Sequence, residues 1–352
     1  MDEIISNFTE NDSKIFKEEF DDFLPKKIFD FHVHLWKEDF YNLEISNKRR
    51  KQNPFLNSGI NQFTYNDFEK ITKKLFYKKN YYGLLYGLPV IEMDIDKNNE
   101  YIAMVNNEIK GHGLFIPKPD LKEVPENFFK NRFVGFKPYP DLVRKTKIDD
   151  SSKIDIDTSI FDFVSKNVLE FCHEFGLILQ LHIPRKERLN DKRNIQEIES
   201  IGKKYPRIKI VLAHAGRSYC YNDIKYSIKH LKKIKNLYVD TAMINNFLVN
   251  EVLIKELGPD KIFYGSDLVV AALKGKNIEI NDKHYFVTNS SKPWSLSSSE
   301  MELNDFTFFI YEIIRSIKIA TDSLDIRKID IEKIFYSNAM NLIEEITQGI
   351  KV

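Results

Sequence analysis

The chain has 352 residues, with 53 basic and 52 acidic side chains, and its net charge of +1 offers no electrostatic footprint for nucleic acid or an anionic membrane. Hydrophobic residues at 42% and aromatics at 13% exclude a disordered chain, and 13 glycines with 12 prolines exclude a collagen-like or linker-rich one. At roughly 150 residues per domain the length suggests two domains, but one α/β barrel with insertions absorbs it equally well.

The longest apolar stretches, such as GLILQL and IVLAHA, fall far short of the roughly 20 residues that span a bilayer. The N-terminal MDEIISNFTENDSK is acidic and polar where a secretory signal needs a basic and then an apolar segment, and only Cys172 and Cys220 are available for bridging. A reduced, cytoplasmic protein is the expectation.

Residues 1–26 read as an N-terminal extension and residues 27–352 as one domain. In that domain eight short apolar runs recur with helical segments between them. They are KIFDFHVHLW from Lys27, YYGLLYGLPV from Tyr81, GHGLFIPKP from Gly111, FVGFKPYP from Phe133, LILQLHIP from Leu177, IKIVLAHAG from Ile208, NLYVDTAM from Asn236 and KIFYGSDL from Lys261. Several are near-continuous Val, Ile, Leu and Phe runs, as strands covered on both faces by helices require. FDFVSKNVLEFCHEF, with Phe161, Val164, Val168, Leu169 and Phe171, and NIQEIESIGKKY, with Ile195, Ile198 and Ile201, predict covering helices. FTFFIYEIIRSIKIATDSL and IEKIFYSNAMNLIEEI predict closing ones. The pattern predicts an α/β fold, a TIM (β/α)8 barrel, elaborated by the N-terminal extension and by long loops after strands 1 and 8 at residues 37–80 and 269–300. Both loops leave strand ends where barrel enzymes place substrate loops. They are expected to fold over the site, although the second contains no motif that can be decoded and its Tyr285, Phe286 and Trp294 would serve a homo-oligomer contact equally well.

Alternate side chains of a strand share a face, so in Asp30-Phe31-His32-Val33-His34 the two histidines point together into the barrel mouth. Asp30 shares that face and is placed to hydrogen-bond a ligand imidazole. Alone, the pair is equally the mark of satisfied core histidines. His182 and His214 stand near the C-terminal ends of the fifth and sixth runs and Asp267 ends the eighth. His173 and His230 lie on amphipathic helices, while His112 and His284 read as structural or solvated. Four histidines and an aspartate at one mouth make a nitrogen and oxygen site suited to zinc, manganese or iron with an open coordination position.

These residues resemble the amidohydrolase superfamily, in the branch of small metal-dependent hydrolases and decarboxylases that act on carboxylated rings. Residues 27–348 can be threaded through its pattern, and HAG, YGSD and SNAMNLI also look like that branch. The resemblance implies a divalent metal, zinc first with manganese or iron as alternatives, held by His32, His34, His182 and Asp267. It places His214 beside the metal as an acid, base or substrate ligand, and makes Asp267 the group that moves a proton. In some relatives a fourth-strand lysine is carboxylated and bridges two metals. Here Lys137 is expected instead to stay cationic and grip a substrate anion. Arg185 and Arg217 each follow a site histidine by three residues and are candidate oxyanion clamps, with an ordinary surface arginine as the alternative. Tyr139 and Trp36 are lining candidates, with packing as the alternative.

The expected function is a metal-dependent hydrolase of a small carboxylated amide, lactone or ester, its partner a small-molecule substrate rather than nucleic acid or membrane. A decarboxylase using the same residues and a non-catalytic metal-binding barrel are the alternatives. Phosphoesterase barrels that also use the paired-histidine motif need further histidines and a glutamate that cannot be placed here.

Overall fold

The computed structural model describes residues 2–143, 158–297, 300, 302 and 305–350, so residues 298–299 of the second long loop lie outside the described residues. All eight apolar runs form strands: β1 Lys27–His34, β2 Asn80–Tyr86, β3 Gly113–Phe115, β4 Phe133–Phe136, β5 Ile178–Leu181, β6 Lys209–Leu212, β7 Leu237–Asp240 and β8 Ile262–Phe263. They pair in parallel in chain order, β1 through β8. The segment following β8 then returns to β1. Phe31 N–H donates to Tyr264 O at 2.8 Å, Asp267 N–H to His32 O at 3.0 Å, and His34 N–H to Leu268 O at 3.2 Å. The sheet is a nearly closed TIM barrel.

Burial explains why these runs are strands and not helices. Residues 28–34 of β1 and all of β4 and β5 are buried, as helices on the outside and barrel contents on the inside demand. Phe31 points outward and stacks on Phe263 with ring centroids 4.2 Å apart. His32 and His34 take the opposite face.

Between strands the helices follow their apolar stripes with one instructive shift. Lys192–Lys204 buries Ile195, Ile198 and Ile201 as the spacing predicts. In FDFVSKNVLEFCHEF, however, the helix is only Lys166–Phe175, because Ser165 caps it by accepting from Val168 N–H at 3.3 Å. Phe161 falls in a separate turn of 3-10 helix, Ile160–Asp162, and is 47% exposed. A capping serine inside the window outweighed the apolar period.

The additions to the barrel are anchored by packing and charge. Phe16 and Phe20, from the N-terminal residues, pack against Tyr311 of the helix Phe309–Ser323 at 6.2 and 5.3 Å. Asp12 forms a buried ion pair with Lys274 at 2.7 Å, tying the same residues to the segment after β8. The excursion after β1 carries the helices Asn47–Gln52 and Tyr65–Leu75.

Within 269–300 there is a β-hairpin that the sequence reading missed, β9 Gly275–Ile280 paired antiparallel with β10 Lys283–Thr288. Its two-residue turn, Asn281 and Asp282, holds φ of 49° and 62°, the left-handed geometry that asparagine and aspartate tolerate. The Asn-Asp pair between two alternating segments was the available signal. No helix among the described residues is long and apolar enough to cross a membrane.

Candidate metal centre

At the C-terminal ends of the strands His32 stands between two other imidazoles, those of His34 and His214, with ring centroids 5.3 and 4.7 Å away. Carbonyl oxygens only accept, so His34 Nδ1, 2.8 Å from Gly87 O, and His214 Nδ1, 3.0 Å from Ala242 O, must both carry hydrogen. His32 Nδ1 donates to Asp240 Oδ2 at 3.1 Å. In the neutral form of each ring Nε2 is left with its lone pair free. His32 Nε2 lies 3.3 Å and His34 Nε2 3.5 Å from Asp267 Oδ1, a buried oxygen with no hydrogen-bond partner among the described residues.

This arrangement fits a divalent ion. Two ligands each about 2.1 Å from a tetrahedral centre stand about 3.4 Å apart, close to both separations. The donor atoms of His32, His34 and Asp267 lie within 4.8 Å of one another, as do those of His32, His214 and Asp240. Gly265 makes the close approach feasible, since a Cβ there would stand 3.1 Å from His32 Cβ and 3.3 Å from Asp240 Cβ.

Charge reinforces the geometry. Burial would raise the Asp267 carboxyl, but the imidazoles of His32, His34 and His214 hold it well below the usual carboxylate range. Burial lowers His34, only partly offset by Asp267, and pushes His214 down to about 4, so both are neutral ligands or bases at neutral pH. Burial lowers His32, but the Asp240 and Asp267 carboxylates together outweigh that cost and the imidazole is raised. His182 shares the pocket wall, its ring 5.4 Å from that of His214, and its Nδ1 is buried with no partner among the described residues. It does not belong to either tight group of donor atoms.

Asp240, at the end of β7, is a residue that sequence reasoning missed. Its Oδ2 accepts from His32 Nδ1 and from Gln180 Nε2 at 2.7 Å, while its Oδ1 accepts from the backbone N–H groups of His214 at 2.8 Å and Ala242 at 3.1 Å. One carboxylate thus fixes the tautomer of a site histidine and the position of the next strand end. The aspartate closing NLYVD was the signal, parallel to the one closing KIFYGSD. Asp30 does not play this part. It accepts instead from His32 and Ser266 backbone N–H groups and from Tyr81, and burial pushes it up to about 6. We expect Asp240→Asn to weaken metal binding about 10- to 100-fold, the usual cost of losing such a partner. A metal titration showing unchanged affinity would overturn that role.

The remaining candidates divide. Tyr139 and Arg217 line the pocket, a cavity of about 290 Å³ that His32, His34, His214 and Asp267 also line. Arg185 does not. It is buried and spent on Glu197, at 2.7 and 3.1 Å, and Asn194, at 2.9 Å, both presented by the helix Lys192–Lys204. Trp36 also stands behind the wall, its indole N–H donating to Asn61 O at 2.7 Å. Lys137 lies under the site, not on the pocket surface. Its ammonium is fully buried with no hydrogen-bond partner among the described residues, 5.5 Å from the centroid of Tyr86 and 5.9 Å from that of Tyr139, and burial lowers it to about 8 against the pull of Asp240 and Asp267.

Both long loops reach the pocket. Asn53, Pro54 and Phe55 come from the first, and Val270, His284, Phe286 and Trp294 from the second. His284, read as structural or solvated in the sequence, thus belongs to the wall, as does Arg188.

The sequence matches the Amidohydrolase family over residues 29–343. No curated protein matches it. The fold is similar to that of an amidohydrolase from Burkholderia multivorans with bound zinc, at 10% identity over 90% of this chain and 99% of that chain with a TM-score of 0.53. It is also similar to a probable 2-pyrone-4,6-dicarboxylic acid hydrolase from Acinetobacter baumannii, at 11% identity over 90% and 99% with a TM-score of 0.54. A third similar structure is 5-carboxyvanillate decarboxylase from Sphingomonas paucimobilis, at 12% identity over 91% and 99% with a TM-score of 0.54.

Proposed function

The chain belongs to the amidohydrolase family, and from that premise we propose that it is a metal-dependent hydrolase of a small carboxylated amide, lactone or ester. The observation that carries this reading is the buried, unpartnered Asp267 Oδ1 facing two bare imidazole nitrogens, since a satisfied core aspartate would have found a donor. A divalent ion, zinc first with manganese or iron as alternatives, would be held by His32, His34, His182 and Asp267 and would bring the pKa of bound water toward roughly 7 while polarising the scissile group.

The chain's own residues supply the rest. Asp267 is ionised at neutral pH and can take the proton of attacking water at a carboxylate oxygen. His214 has its Nδ1–H committed to Ala242 O, so only Nε2 faces the reaction, as a base toward water or, once protonated, as an acid toward the leaving group. Phe55 packs edge-on against His34 at 4.9 Å and helps keep bulk water from the metal side. Lys137 contributes positive charge from beneath. Two of the fold neighbours bear the names of enzymes of carboxylated substrates, which suits the reading by analogy of fold only.

The test is metal analysis followed by incubation with a panel of carboxylated lactones, amides, esters and aromatic carboxylates. The expected result is about one equivalent of metal and hydrolysis of a panel member. Release of carbon dioxide without hydrolysis would instead assign a decarboxylase. Full metal with no turnover of any class would favour a non-catalytic metal-binding barrel.

A further inference from the structure

Across Tyr219 from His214, the pocket wall has a polar character opposite to that of the metal centre. Tyr219 lies 6.0 Å from the ring of His214 and 4.7 Å from that of His284, which β10 brings in from the hairpin. Arg188 stacks over Tyr219 at 5.2 Å and is fixed by Asp223, 2.7 Å from its Nη1. Its Nη2 stands 2.7 Å from His284 Nδ1 and 3.4 Å from Nε2. A guanidinium only donates, so His284 Nδ1 must accept and the ring proton must sit on Nε2.

Three residues of this wall, Arg217, Trp294 and Arg188, hold donors that no acceptor among the described residues takes up. Arg217 donates through Nη1 to the carbonyls of Ile183, at 3.2 Å, and Pro184, at 2.9 Å, and it has no acidic partner among the described residues, which leaves its other N–H groups uncommitted. Trp294 Nε1 and Arg188 Nε are buried without an acceptor among the described residues. Phe286 holds His284 and Trp294 together, at 5.6 and 5.7 Å from their rings. Buried donors without acceptors are costly unless a ligand supplies the acceptor.

We propose that His284 is a substrate-binding residue, a neutral imidazole whose Nε2–H joins Arg217 and the Trp294 indole in gripping a carboxylate on the side of the pocket away from His32, His34 and Asp267. The inference rests on the hydrolase reading and deepens it. The substrate would carry a carboxylate separate from its scissile bond, on a planar group that fits between Tyr139, Tyr219 and Phe286. The hairpin then acts as a specificity element by bringing one donor to the site and holding it in one tautomer through Arg188.

Isophthalate, a planar dicarboxylate, and its neutral dimethyl ester serve as probes for calorimetric titration of the zinc-loaded protein. Wild type should prefer isophthalate. His284→Phe, which keeps the ring contacts, should lose about 10-fold or more of that affinity at unchanged zinc content, as should Arg217→Met, since each removes a charge-assisted or charge-flanked hydrogen bond. His284→Asn, which keeps a donor, should recover most of the loss. In the zinc-free protein, nitrogen-15 spectra should show His284 protonated at Nε2 and bare at Nδ1. Equal isophthalate binding by wild type and His284→Phe, or the opposite tautomer, overturns the inference and leaves the hydrolase reading intact. A wild type that holds zinc yet binds the diester as well as the diacid removes the carboxylate from both.

Discussion

His32→Ala should strip the metal and abolish turnover. His32 Nε2 is one of the bare nitrogens facing Asp267, and its Nδ1 is one of the two side-chain donors that Asp240 Oδ2 receives. Removing a partner behind a ligand typically costs about 10- to 100-fold in metal affinity, so deleting the ligand must cost more. The substitution also leaves two buried carboxylates with less compensation, because the imidazole is the first neighbour that holds both Asp240 and Asp267 below the ordinary range. Apparent thermal stability of the protein purified without chelator should therefore fall, since metal that binds only the folded state adds to its stability. Metal analysis after dialysis and activity with added zinc are the measurements. A variant that keeps a full equivalent and normal turnover would remove His32 from the site.

Much of the barrel was legible because each strand wrote its environment into its composition. Runs such as ILQL and KIVL carry apolar residues on both faces, as the strands of a covered parallel sheet do. The paired histidines of β1 were legible because a period of two puts both on one face. Asp240 was harder to see. An aspartate ending a strand carries no mark that separates an exposed cap from a buried carboxylate accepting four donors, and those donors come from β1, β5 and the turns after β6 and β7. Arg185 failed for the complementary reason: spacing from His182 placed it at the mouth, but its partners Asn194 and Glu197 sit on a helix whose facing side no local rule assigns to it. His284 and Trp294 came into the pocket through a hairpin whose turn signal was local but whose docking over the barrel was not.

His214→Asn should separate catalysis from metal retention. His214 sits at φ 54°, in the left-handed region, which asparagine enters more readily than most residues. Its backbone N–H, the group that Asp240 Oδ1 accepts, is untouched by the substitution. The asparagine amide can still donate to Ala242 O in place of Nδ1–H, so the strand end and the Asp240 contacts to His32 persist. What disappears is the free Nε2 and with it the proton acceptor that burial keeps neutral. Loss of a general acid or base costs about 10²- to 10⁴-fold, and that is the fall expected in turnover with most of the metal retained. Single-turnover rates alongside metal content make the distinction. Unchanged turnover would free His214 of any chemical role, whereas metal loss as complete as in His32→Ala would make it a ligand and return the acid and base work to Asp267 alone.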